Sequence, residues 1–111
     1  MYDTGKIAWT ELWKEDHGIM TLMIHIEGDG WGCGFGGVAL DRYDKSKKER
    51  VATAFGMECI TRLMDTFGVN CWEDLKGQYV RLIWDGSRIK KIGNIIKDKW
   101  FAFEDVPGYG E

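Results

Sequence analysis

The residues whose chemistry could support catalysis or metal binding gather in the first third of the chain. They are Asp16, His17, His25, Glu27, Asp29 and Cys33. His25 and Glu27 would share one face of an extended strand, and a histidine paired with Cys33 would activate its thiol as a nucleophile. A metal site needs several converging ligands, and two histidines with scattered acids are a weak pattern. We therefore expect no metal and no cofactor, and an enzyme using His25, Glu27 and Cys33 remains an alternative.

A glycine-rich stretch, EGDGWGCGFGG at residues 27–37, surrounds several of these residues. Glycine stands at every second position from 28 to 36, which is the period of a strand with one bare face. Residues 32–37 match GxGxxG, but a dinucleotide fingerprint requires a helix directly afterwards, and here a polar segment follows. Consecutive glycine amides could still cradle a phosphate, although Glu27 and Asp29 would repel it.

The same stretch is predicted to contain a tight turn at residues 28–30 and then a strand. A strand with a glycine face accepts a close neighbour, and Gly56 stands on the apolar stripe of the helix predicted to follow. We expect that helix to cover the glycine face, which would leave Trp31, Cys33 and Phe35 on the open face of the sheet. Asp29, Trp31 and Phe35 are therefore our candidate binding residues in this region.

Apolar periodicity predicts strands over residues 6–15, 19–27, 31–40, 78–84 and 88–96. It predicts one long helix over residues 47–67, which would begin at a capping box formed by Ser46 and Glu49 and end at Gly68. The order β-β-β-α-β-β indicates an α+β fold with a five-stranded antiparallel sheet and one long helix packed on one face. With 111 residues the chain is expected to form a single domain, 1–111, with a flexible tail at about residues 105–111.

Composition narrows the function classes further. The sequence contains no apolar run of about 18 residues, so we expect no membrane span. Three widely spaced cysteines and the lack of a signal-peptide pattern favour the cytoplasm. The net charge of −3 and the pI of about 5.4 disfavour direct binding of nucleic acid.

Charge is nevertheless unevenly distributed along the chain. Residues 1–44 carry three basic and eight acidic side chains, whereas residues 78–99 carry six basic and two acidic ones. This separation indicates either an acidic surface for a basic partner or a basic hairpin for phosphate. Arg81, Arg88 and Lys90 of the basic segment are further candidate binding residues.

Two stretches, EGDGWGCGFGG at 27–37 and GNIIKDKWF at 93–101, are similar to segments of small uncharacterised proteins encoded by bacteriophages and prophages. The resemblance brings no catalytic residues with it. It implies an accessory protein that acts in the cytoplasm of the host cell, where it binds and disables host machinery, including CRISPR systems and signalling-based defences. We therefore expect a non-enzymatic inhibitor that binds a host defence protein, with a homodimer or higher homo-oligomer as an open question. The second alternative is a small-ligand binder that sequesters a nucleotide immune signal.

Overall fold

The computed structural model describes residues 3–111 and contains a large antiparallel sheet, a small one and one α-helix. The strands are β1 (Asp3–Lys14), β2 (Met20–Gly28), β3 (Trp31–Gly36), β4 (Asp41–Asp44), β5 (Glu49–Ala52), β6 (Tyr79–Asp85), β7 (Arg88–Asn94) and β8 (Trp100–Phe101), and the helix is α1 (Ala54–Phe67). Six strands pair in the order β3-β2-β1-β6-β7-β8, and β4 pairs with β5. The predicted α+β class is confirmed, but the five-stranded sheet is wrong.

Strand β1 is the centre of the large sheet and contains a bulge that changes which face its side chains occupy. Ile7 lies opposite Ile26 of β2, whereas Trp9 lies opposite His25, with a register shift between Ile7 and Trp9. Ala8 is the extra residue, so Ile7 and Trp9 point to opposite faces although they are two positions apart. Regular alternation would place Ile7 and Trp9 on one face, and the bulge reverses this.

Helix α1 begins at residue 54 and not at residue 47. Its N-cap is Thr53, whose hydroxyl accepts a hydrogen bond from the Gly56 amide at 3.0 Å. It ends at Gly68, which adopts a left-handed conformation (φ 66°), as predicted.

The residues before the helix form a hairpin instead of a first helical turn. Glu49–Ala52 pair with Asp41–Asp44. The Asp44 carboxylate accepts hydrogen bonds from the Ser46 amide at 2.9 Å and the Ser46 hydroxyl at 2.6 Å, which fixes the turn between the two strands. Ser46 and Glu49 therefore do not form a capping box.

Gly56 permits a close backbone approach, but not to the glycine-rich strand. A Cβ atom at Gly56 would lie 2.3 Å from the carbonyl oxygen of Leu40, in the segment that follows β3. The Thr53 hydroxyl donates to the same oxygen at 2.5 Å. The expectation that α1 covers the glycine face of β3 is wrong, since α1 is anchored to the Leu40 segment.

The core lies between α1 and one face of the curved sheet, which we call the inner face. Its fully buried side chains include Ile7, Leu22, Ile24, Cys59, Leu63, Val80 and Ile92. The sheet curls until residues of β3 and β7 approach within 8 Å between Cα atoms. Phe35 fills this seam, with its ring 5.0 Å from that of Phe103, and only 4% of Phe35 is exposed. Phe35 therefore points into the core, which corrects its predicted place on the open face.

Trp31 also lies on the inner side of the sheet. Its indole packs over Gly28 and Gly5, where a Cβ atom on Gly28 would fall 2.2 Å from the ring. The indole meets Trp84 edge-to-face at 5.3 Å between ring centroids. Two glycines thus make room for Trp31.

The described part of the chain, residues 3–111, contains no helix with the length and apolar character needed to span a bilayer.

Candidate functional site

One face of the large sheet points away from α1, and we call it the outer face. It carries exposed aromatic side chains together with charged ones. Strand register brings onto it Lys6, Trp9 and Glu11 of β1, Met23, His25 and Glu27 of β2, Tyr79 and Arg81 of β6, and Trp100 of β8. Because α1 packs on the inner face, large aromatic side chains stay exposed here. Trp9 is 49% exposed and Tyr79 is 61% exposed.

The Trp9 indole is fixed on this face by contacts with His25, which is itself bound by Glu11. Its indole stacks on the His25 imidazole with 4.1 Å between ring centroids and 15° between ring planes. The imidazole Nε2 donates a hydrogen bond to the Glu11 carboxylate at 2.5 Å. The carboxylate fixes the imidazole and the imidazole supports the indole, so Trp9 is ordered before any partner arrives.

Two adjoining depressions border these residues. The first, of about 340 Å³, lies between Trp9, His25 and Glu27, over a floor that includes Gly32 and Gly34. The nearest atom to a Cβ placed on Gly32 would be 3.8 Å away, so the space above that residue is open. The depression is therefore open above Gly32, whereas the Met23 sulfur would lie 2.8 Å from a Cβ atom on Gly34.

The second depression, of about 310 Å³, is bounded by Lys6, Glu27, Asp29 and Tyr79. The Lys6 ammonium lies 5.8 Å from the centre of the Tyr79 ring. Glu27 belongs to both depressions, so the two form one continuous surface with an acidic centre. Of the predicted binding residues, Asp29 is exposed and borders this surface.

Arg81 lies on the outer face, where it organises the connection between β7 and β8. Its guanidinium stacks 4.5 Å from the Trp100 ring centroid. Its Nε donates to the Asn94 carbonyl at 2.6 Å and its Nη2 donates to the Lys97 carbonyl at 2.9 Å. These contacts give Arg81 a structural role in addition to any contact with a partner.

Arg88 and Lys90 are exposed on β7, and the sheet order separates them from β2 by two intervening strands. The Arg88 guanidinium lies 4.0 Å from the Glu104 carboxylate. The fold thus places Asp29 on one half of the sheet and the predicted basic pair on the other, and the six predicted residues do not form one cluster.

The predicted group of His25, Glu27 and Cys33 borders the first depression, but its members are divided between the two faces of the sheet. Cys33 lies opposite Ile26 on the inner face, whereas His25 lies opposite Gly34 on the outer face. The Cys33 thiol donates to the Gly34 carbonyl at 3.6 Å. No group of three or more His, Cys, Asp or Glu side chains in residues 3–111 is arranged to hold a metal ion.

The other two thiols are poor nucleophiles. Burial raises the pKa of the Cys59 thiol to about 11. Cys71 is exposed, and the hydrogen bond that it donates to the Glu73 carboxylate at 2.8 Å raises its pKa. Because the thiolate is the reactive form, neither residue is activated at neutral pH.

Sequence reasoning missed Trp9 and Tyr79 as surface residues. Tyr79 was detectable, because residues 79–84 alternate and Tyr79 falls on the face opposite Val80 and Leu82. Trp9 was not detectable, since the bulge at Ala8 that turns it outward leaves no pattern in the sequence.

Comparison with protein-family models, with curated proteins and with solved structures finds no significant match to this chain.

Proposed function

We propose that this chain is a non-enzymatic binding protein that uses the outer face of its sheet to block a host protein of antiviral defence. The observation that carries the proposal is the pair of exposed aromatic side chains on the outer face, Trp9 and Tyr79. Tyr79 lies opposite Lys6, which in turn lies opposite Glu27, and Trp9 follows Lys6 along β1. Rigid aromatic residues on a preformed surface are the usual anchors of protein interfaces.

The charges around these anchors support a protein partner with basic groups. Glu27 and Asp29 are exposed between and beside the two depressions. Carboxylates in such positions attract lysine and arginine side chains and speed up association. The phage setting comes from the two similar segments described above, and it makes a defence component, for example a CRISPR effector, the proposed target.

A nucleotide ligand is less favoured by the same geometry. Its phosphates would face Glu27 and Asp29 in the depressions, and among residues 3–111 Lys6 is the single lysine or arginine that borders them. A panel of nucleotides tested by thermal unfolding separates the two hypotheses, because a nucleotide that binds the folded chain must raise its melting temperature.

The proposal is tested by phage plating on bacteria that carry a defined CRISPR system and express the chain. We expect the wild-type chain to restore plating, and the double variant Trp9→Ala, Tyr79→Ala to lose this effect. Tyr43→Ala is the matched control, because Tyr43 is 52% exposed on β4, outside the outer face.

Circular dichroism of each variant must first show a wild-type fold. If the double variant restores plating as well as the wild type does, the outer face is not the binding surface. If the wild-type chain fails to restore plating against a panel of defence systems, the inhibitor function itself is rejected.

A further inference from the structure

The first depression of the outer face is bordered by one carboxylate. Among residues 3–111, Glu27 is the only Asp, Glu, Lys or Arg that lines it. Trp9 and His25 border it as well, and Gly32 and Gly34 line it without contributing a side chain. Its volume of about 340 Å³ is at the lower end of the range for ligand sites, so it suits one inserted amino-acid side chain.

The open part of this depression lies beside Glu27. Gly32 stands directly opposite Glu27 in the β2–β3 pair, and the space above Gly32 is open. Residues in opposite positions of a sheet normally contact each other through their side chains, and oppositely charged pairs stabilise it. Because residue 32 is glycine, the position where a basic partner of Glu27 would stand on β3 is unfilled. Gly34 lies opposite His25, and there the Met23 sulfur narrows the space.

The charge of Glu27 is not neutralised within this depression. Glu27 is exposed, and it takes part in no ion pair among residues 3–111. Lys6 lies opposite Glu27 on its other side, but its ammonium lies 5.8 Å from the centre of the Tyr79 ring. Lys6 borders the second depression, together with Asp29, and does not border the first. The first depression therefore keeps the negative charge of Glu27.

The stacked rings of Trp9 and His25 add aromatic surface to the same depression. Glu11 holds the imidazole through a hydrogen bond, and its carboxylate balances the charge that the imidazole gains when it is protonated. Aromatic rings attract cations, and the planar guanidinium of arginine also stacks on them. A carboxylate accepts two parallel hydrogen bonds from one guanidinium. Arginine therefore fits this combination of groups better than the compact ammonium of lysine does.

We propose that the space above Gly32 binds a single arginine side chain of the partner protein, whose guanidinium pairs with Glu27 and stacks against the rings of Trp9 and His25. This inference rests on the proposed function, because it names the chemical group by which the blocked protein is held. Arginine is enriched on protein surfaces that bind nucleic acid. A defence protein that binds nucleic acid would therefore present a group of this kind.

The arginine site is tested without the host protein, by NMR titration of the isotope-labelled chain with N-acetyl-arginine amide. We expect saturable changes in chemical shift centred on the amides of Gly32 and Gly34 and on the Trp9 indole. The dissociation constant should be about 1 mM, as is usual for a ligand of this size. N-acetyl-lysine amide should bind at least about threefold more weakly, because its ammonium neither stacks on the rings nor forms paired hydrogen bonds.

Two substitutions test the charge and the open space separately. Glu27→Gln keeps the shape of the side chain and removes its charge, so it should weaken arginine binding by about tenfold or more. Gly32→Val fills the open space with a residue that strands favour, and it should weaken binding to a similar extent. Glu49→Gln is the matched control, because Glu49 is an exposed acid on β5, and this variant should bind like the wild type.

The arginine site is rejected if no saturable shifts appear at Gly32 and Trp9 up to about 10 mM arginine amide, tenfold above the expected constant. Equal affinity for the arginine and lysine amides rejects it as well, and so does unchanged binding by Glu27→Gln. Melting temperatures identify any variant that fails to fold, and Gly32→Ala then replaces Gly32→Val.

Phage plating with the same variants separates this inference from the proposed function. If Glu27→Gln and Gly32→Val restore plating as well as the wild type does, the arginine contact is rejected while the inhibitor function stands. If the wild-type chain binds arginine amide as expected but restores plating against no defence system, the inhibitor function is rejected while the arginine site stands.

Discussion

At the scale of single residues, the glycines of the 27–37 stretch have different purposes. Gly28 makes room for the Trp31 indole, whereas the position above Gly32 is open. Both residues lie in extended strands of the same hairpin, so they form a matched pair for measuring the effect of one added methyl group.

Gly28→Ala should therefore destabilise the protein, and Gly32→Ala should not. We expect a loss of about 1–3 kcal/mol in the free energy of unfolding for Gly28→Ala, because Trp31 must shift away from the new Cβ atom. Gly32→Ala should change it by less than about 0.5 kcal/mol. Urea unfolding of both variants measures the difference, and equal effects would mean that the Trp31 contact is not tight.

The same stretch shows which features of single residues can be predicted from the sequence and which cannot. Alternation correctly predicted that Trp31, Cys33 and Phe35 share a face. It could not tell which face is covered, because that depends on where α1 packs. The close approach at Gly56 was correctly inferred, but its partner is the Leu40 carbonyl, a contact that no periodicity encodes.

At the scale of elements, Thr53 links the start of α1 to the segment after β3. Its hydroxyl both caps the helix and donates to the Leu40 carbonyl. Thr53→Ala should lower the free energy of unfolding by about 1–2 kcal/mol, whereas Thr53→Ser, which keeps the hydroxyl, should retain most of it. If both variants unfold alike in urea, the methyl group and not the hydroxyl is responsible.

The β4–β5 hairpin is tied together by an ion pair with a pH-dependent contribution. The Arg50 guanidinium lies 2.8 Å from the Asp41 carboxylate, and the Asp41 side chain is 9% exposed. The hydrogen bond from Arg50, supported by one from the Met20 amide, lowers the pKa of Asp41 below its ordinary value of 3.8. The resulting stabilisation is complete above that value and is lost as the pH falls through the lowered pKa.

Asp41→Asn should accordingly cost about 1–3 kcal/mol of unfolding free energy at pH 7. The difference from the wild type should shrink as the pH is taken below about 4, the pKa of an unperturbed aspartate. Urea unfolding at pH 7 and at progressively lower pH measures it. A difference that is the same at every pH would show that the loss comes from packing and not from the charge.

Sequence reasoning missed the β4–β5 hairpin, because a helix and a hairpin compete for the same residues there. Residues 49–52 continue the helical period of α1, but hydrogen bonds to Asp44 and pairing with β4 favour a hairpin there. The long strands, the turn at residues 28–30 and the end of α1 at Gly68 were predicted, because each has a strong local pattern.

At the scale of the whole molecule, the last residues contribute unequally to the core. Phe103 and Val106 are buried, whereas residues 107–111 lie mainly at the surface. The flexibility predicted for residues 105–111 stays a prediction. Two truncations can separate the contribution of residues 107–111 to stability from that of residues 102–106.

Removal of residues 107–111 should leave a folded protein with a small loss of stability, because it uncovers part of Phe55. Removal of residues 102–111 should cost about 3–5 kcal/mol or more, because the aromatic cluster around Phe35 loses Phe103. Thermal unfolding of both truncated chains measures this. A fully stable chain without residues 102–111 would contradict the assignment of Phe103 to the core.

The central position of β1 has a consequence for synthesis on the ribosome. Its first residues, Asp3–Lys6, pair with Tyr79–Leu82 of β6, which are translated 73 to 79 residues later. At a translation rate of roughly 5–20 residues per second, this edge of β1 stays unpaired for several seconds after β2 and β3 have been synthesised. A nascent chain in that interval presents an unpaired strand edge, so chaperone dependence of expression should be greatest for chains stalled before β6.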